Sequence, residues 1–234
     1  MDNSCVSGPV SGPVSASGLS VRAGPKAAGG GVVWCETWRL FFTFLSVMPE
    51  TLIQQSFIDG ADWRYRGAEE LAPLLAHATH LLLECLGNGG RVLVCAAGPA
   101  CALAAYGADL LQGGLGRARL PLPALALGAL RGQSDLAGQV RALGHGGDVL
   151  LALAPTAAAA DELAPAVRAA HERDLQVVAL AAAEGDAAAA LPLQEADVLV
   201  PIAHSALPRV LEAQQLALHC LCAGLDELLL GPQS

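Results

Sequence analysis

Basic residues are scarce in this chain: 13 Lys and Arg stand against 22 Asp and Glu, a formal net charge of −9 over 234 residues. That balance repels a phosphate backbone, and no basic patch offsets it, so direct binding of nucleic acid is not expected. Long apolar runs are missing too. The segment Leu40–Val47 (LFFTFLSV) is far shorter than the roughly 20 residues that a membrane span needs, and it lies too deep for a simple signal peptide. No membrane anchor is expected, and the chain reads as cytoplasmic. No CxxC pair is present, and with it goes the usual spacing of a zinc site. The turn after Val92–Ala96 carries one glycine, Gly98, followed by Pro99. A dinucleotide fingerprint needs three spaced glycines and a P-loop ends in Gly-Lys-Ser/Thr, so both phosphate-binding motifs are excluded.

What is abundant is apolar: 53% of residues are hydrophobic and only 15% are charged, which suits one well-buried domain with a tail. Seven cysteines, an odd number, with Cys85, Cys95, Cys101, Cys220 and Cys222 inside apolar runs, read as reduced thiols in a core. Residues 1 to about 30 repeat Gly, Ser, Pro and Val (SGPVSGPV), with too little bulky apolar surface to offset chain entropy. Residues 1–47 are therefore expected to be a disordered or non-native extension, with Met48 as the biological start, and residues 48–231 to be the folded domain.

From Met48 on, helical periodicity alternates with short β-branched runs, the pattern of a parallel sheet covered by helices. Two N-terminal helices are expected, Ile53–Tyr65 and Glu69–Leu86, ended by Gly87, Gly89 and Gly90. Strands are expected at Val92–Ala96, Ala124–Leu127, Asp148–Leu153, Gln176–Leu180 and Asp197–Ile202, each gap being long enough for a crossover. Helices are expected near Ala100–Gln112, Leu136–Leu143 and Asp161–Arg173, with a last one from about Pro208 to Leu230. The predicted class is α/β, a three-layer sandwich with a five-stranded parallel sheet of flavodoxin type. Ligands of such sheets bind beyond the carboxyl ends of the strands. That points to Ala97–Ala100, Ala154–Ala159 and the loop before the last helix.

Three stretches, QVRALGHGGDVLLALAPT, VRAAHERDLQVVALAAAEGD and HSALPRVLEAQQLALHCLCAGLDELL, resemble the sugar-isomerase (SIS) domain group that contains phosphoheptose isomerase and the DnaA initiator-associating protein. The resemblance spans residues 48–231. HCLCAGLD, His219–Asp226, is more similar to the DnaA-associating branch. The resemblance implies a sugar-phosphate pocket built from a Cys-Gly-Asn-Gly-Gly-Ser turn and a Ser-Thr-Ser-Gly-Asn-Ser turn. Here the first reads Cys95-Ala96-Ala97-Gly98-Pro99-Ala100 and the second Ala154-Pro155-Thr156-Ala157-Ala158-Ala159. The isomerase histidine and glutamate fall on Tyr106 and Leu110, with Asp109 next door, and its glutamine falls on Leu211. Its last histidine, acid/base and metal ligand, matches His219.

The pocket expected here is thus degenerate, formed by Gly98, Ala100, Thr156 and His219, with no confident catalytic residue, no metal and no cofactor. Isomerisation needs groups that remove and return a proton within hydrogen-bond reach of the substrate, and His219 alone supplies one. Other candidates have plainer accounts. His219, Glu212 and Gln215 form a polar stripe at helical spacing. Asp109 reads as a solvated carboxylate and His145 as part of a Gly-rich turn. His77 and His80, three apart, lack a third ligand. The function expected first is a non-catalytic adaptor: a homotetramer that binds a DnaA-type initiator and promotes its assembly in replication initiation through multivalency. The alternatives are a phosphoheptose isomerase-like enzyme and a sugar-phosphate-binding sensor.

Overall fold

The computed structural model describes residues 49–128 and 135–232. The expectations for residues 1–47 lie outside the described residues. Helix α1 (Pro49–Gly87) is followed by β1 (Val92–Ala96), a 3₁₀ turn (Gly98–Ala100), α2 (Cys101–Gly113), β2 (Ala124–Ala126) and α3 (Leu136–Leu143). Then come β3 (Val149–Ala154), α4 (Ala157–Glu172), β4 (Gln176–Ala182), a 3₁₀ turn (Glu184–Asp186), the short α5 (Ala187–Ala190), β5 (Val198–Ile202) and α6 (Leu207–Leu230).

All strands are parallel, in the order β2-β1-β3-β4-β5. Strand order reverses between β1 and β3, which places the crevice of a flavodoxin-type sheet there. Both faces of the sheet are covered, and period-2 alternation sorts its side chains between two cores. Leu93, Cys95, Leu150, Ala152, Val177 and Ala179 pack under α3 and α4. Their neighbours Val92, Val94, Val149, Leu151, Val178 and Leu180 pack under α1, α2 and α6.

One expectation fails. The two N-terminal helices are a single 39-residue helix that runs through Gly67 and Pro73. A glycine in a helix interior costs only about 1 kcal/mol relative to alanine, and a Cβ at Gly67 would meet only Leu71 Cδ1, 3.7 Å away. Continuous burial of Ala78, Leu81, Leu82 and Cys85 further along outweighs such local penalties. The thiols also divide. Cys85, Cys95 and Cys222 are buried, whereas Cys101 is half-buried and Cys220 is exposed, because the helical step turns Cys220 away from the face that holds Cys222. No described helix is long and apolar enough to cross a membrane.

The amino-terminal ends of the strands are tied by two carboxylates. Asp148 accepts from the backbone N–H of Arg91 (2.9 Å) and of His145 (3.0 Å). Asp197 accepts from Val177 N (2.8 Å), Gln194 N (2.7 Å) and His171 Nε2 (2.8 Å). Both lie at the sheet's opposite end from the crevice, so they are scaffold.

Candidate functional site

The sheet's carboxyl end holds a cavity of about 320 Å³, lined by residues of the loops after β3, β4 and β5. Its polar lining is Thr156, Glu184, His204 and Ser205, and its apolar wall includes Pro155, Ala157, Leu207 and Val210. Thr156 is extended (φ −148°, ψ 164°) and caps α4, its Oγ1 accepting from Ala159 N at 3.2 Å. That bond satisfies a free N–H of the helix start. The hydroxyl accepts in that bond and keeps its own O–H to donate. His204 is held by two partners: its Nδ1 accepts from Ala206 N at 2.9 Å, and its ring meets Trp63 edge-on at 6.0 Å.

Gly98 and Ala100 stand beside this cavity and do not line it. Gly98 adopts φ +59°, which glycine enters without strain. A Cβ there would lie 3.8 Å from Ala159, so the turns after β1 and β3 do face each other across the switch point. They face with methyl groups: Ala100 and Ala159 are buried and Ala157 half-buried. The donors these turns retain are backbone N–H groups and the Thr156 hydroxyl.

His219 belongs elsewhere. It lies midway along α6, half-buried, and its Nε2 is 2.6 Å from the hydroxyl of Tyr106 on α2. The two rings are T-shaped, at 71° with centroids 5.6 Å apart. Leu110, one turn further along α2, is 8% exposed within the apolar core, and Leu211 packs on the same cluster. Asp109 points to solvent. The polar stripe of α6 is split: Glu212 pairs with Arg209 at 2.6 Å and Arg64 at 3.8 Å, Gln215 is exposed, and only His219 turns to α2. His77, His80 and His145 are exposed, and the His145 backbone is tied to Asp148.

No family model matches the chain. Curated relatives do match. The phosphoheptose isomerase of Methylibium petroleiphilum is 39% identical over 197 residues, 80% of this chain and 98% of that protein. The chain belongs to the phosphoheptose isomerase family. Among solved structures, the phosphoheptose isomerase of Neisseria gonorrhoeae superposes with a TM-score of 0.67 at 30% identity, covering 76% of this chain and 98% of the other. That of Francisella tularensis gives 0.66 at 27% identity, covering 76% and 97%. The phosphoheptose isomerase fold is therefore present over nearly the whole length of its relatives.

Family resemblance implies a metal at four positions, here Tyr106, Leu110, Leu211 and His219. These residues do not fit an ion. Zinc takes three or four N, S or carboxylate donors, whereas two of the four are hydrocarbon and the phenol is bonded to the one imidazole. Among the described residues no group of three His, Cys, Asp or Glu converges. Of the residues expected from sequence, Thr156 lines this cavity while Gly98, Ala100 and His219 do not, and its other polar residues, Glu184, His204 and Ser205, were not among those expected. The signal for them was positional: polar residues directly after strands β4 and β5.

Proposed function

We propose that this chain is a non-catalytic member of the phosphoheptose isomerase family, a SIS domain that acts by assembling with partners. One observation carries the reading. The positions that match the family's histidine, glutamate and glutamine are Tyr106, Leu110 and Leu211, and the surviving His219 already shares its Nε2 with Tyr106. Proton transfer beside a carbonyl needs two groups in reach of the substrate. The facing turns add methyls where phosphate needs donors, and each missing charged hydrogen bond forfeits about 1.5–3 kcal/mol.

The exposed apolar residues Phe57 and Ile58 of α1 and Leu216 of α6, beside an apolar groove of about 370 Å³ between these helices, support a homo-oligomer, a tetramer in this reading. The partner class that the HCLCAGLD resemblance implies is a DnaA-type initiator, brought to high local concentration by a symmetric scaffold. The comparisons with relatives do not bear on that partner.

A second reading has specific support: the relatives are named phosphoheptose isomerases, at 39% identity in the case of Methylibium petroleiphilum, so conversion of a phosphorylated heptose is the enzymatic alternative. Purified protein incubated with sedoheptulose 7-phosphate, with and without zinc, separates the two. No turnover is expected, and turnover lost on His219→Ala would replace the non-catalytic reading. Co-precipitation of a DnaA-type initiator with the oligomer tests the partner.

A further inference from the structure

The α2–α6 contact is closed by the molecule's own side chains. Gly107, next to Tyr106, has no Cβ; one built there would lie 3.2 Å from Leu218 Cδ2. The two helices approach closely at that level. Immediately beside this approach the Tyr106 hydroxyl and His219 Nε2 share a 2.6 Å hydrogen bond, with both rings half-buried. An imidazole nitrogen offers one lone pair, and it serves either a proton donor or a metal. With the phenol donating, the lone pair of Nε2 is taken. Leu110 and Leu211 supply no donor on either side. Asp109 and Cys220 are one residue from Leu110 and His219, but they are about 100° round their helices and exposed.

We propose that Tyr106 is a built-in substitute for a metal ion: its phenol takes the coordination position of His219 Nε2, so the α2–α6 pair is closed by an internal hydrogen bond and does not take up zinc. This rests on the non-catalytic reading above, since it concerns the same histidine. It adds that, besides the donors missing at Leu110 and Leu211, the one nitrogen left of the set is held by a specific side chain. Replacing the phenol by a second imidazole therefore creates a two-histidine cation site across the helices, completed by water.

The test uses the full chain, stripped with a chelator and titrated with zinc. Unfolding midpoint and the side-chain nitrogen resonances of histidine are read. Wild-type protein is expected to show no zinc-dependent shift in either, while Tyr106→His gains a rise of several degrees that His219→Ala removes in the same background. Tyr106→Phe, which deletes only the hydroxyl, is expected to move the His219 Nε2 resonance. A wild-type zinc response that disappears in His219→Ala overturns the proposal, as does a folded Tyr106→His protein indifferent to zinc. Should Tyr106→His fail to fold, an unmoved His219 resonance in Tyr106→Phe overturns it instead. Zinc binding without turnover of sedoheptulose 7-phosphate sinks this inference and spares the non-catalytic reading. Turnover by zinc-free protein does the reverse.

Discussion

Arg119 Nε donates to Asp226 Oδ1 at 2.5 Å with both side chains out of water, 3% and 2% exposed. The same guanidinium donates to the carbonyls of Leu111 (2.7 Å) and Leu110 (3.3 Å), so it fastens the end of α2 and the following loop to the last helix. Asp226 closes the HCLCAGLD segment. In that segment Leu221, Cys222 and Leu225 are core and Asp226 is an anchor, so the motif that carries the family resemblance most strongly is architectural.

Removing one partner of a buried pair strands the other, which typically costs about 3–5 kcal/mol. Asp226→Asn and Arg119→Met are each expected to lower stability by about that much in urea unfolding. The double variant Arg119→Met/Asp226→Leu is expected to recover most of the loss, because two apolar groups need no counter-charge.

Asp197 accepts three hydrogen bonds with its side chain 2% exposed. Asp197→Ala leaves two backbone N–H groups and an imidazole without their acceptor, for an expected loss of about 2–4 kcal/mol by thermal unfolding. His171→Ala removes only one of these bonds and is expected to cost less.

Alkali should weaken the fold through its thiols. Burial pushes the Cys95 thiol up to about 12, and burial with the nearby Asp148 carboxylate pushes Cys85 up to about 11, both from 9.0. The folded protein therefore keeps protons that the unfolded chain releases above pH 9.0, and stability falls as pH rises from there, until each folded value is passed. Each thiol contributes a slope of up to about 1.4 kcal/mol per pH unit in that window. Unfolding midpoints of Cys95→Ala, followed from about pH 8 to about pH 11, should decline less steeply than those of the parent.

Phe57 is 76% exposed and Leu216 39% exposed, on the two helices that flank the apolar groove. Under the proposed homo-oligomer, Phe57→Asp with Leu216→Glu is expected to shift the sedimenting species to smaller forms while leaving the circular dichroism unchanged, since neither side chain is in the core. An unchanged oligomer would move the subunit interface to another face.

Much of the fold was legible because local pattern and tertiary role agree. β-branched runs such as Val92–Ala96 and Gln176–Leu180 begin where the strands begin, and Leu136–Leu143 is a helix end to end. Between Ile53–Tyr65 and Glu69–Leu86, Gly67 looks like a break locally, and only packing of the later turns shows that the helix outlasts it. In the cavity Thr156 is visible as a survivor of a known pattern, whereas His219, the other survivor, lies apart from it against Tyr106. Glu184, His204 and Ser205 carry no pattern of their own and meet only because three parallel strands end at one edge.

By itself the sequence determined the class of fold and which residue types stand where the isomerase pattern is matched, because each of these is a matter of residue type and spacing. Tertiary structure alone decided that Tyr106, 113 residues before His219, is bonded to it. Hydrogen bonds between distant residues depend on how helices cross over a sheet, and helix crossing is set by packing of whole faces, which no local stretch of sequence encodes.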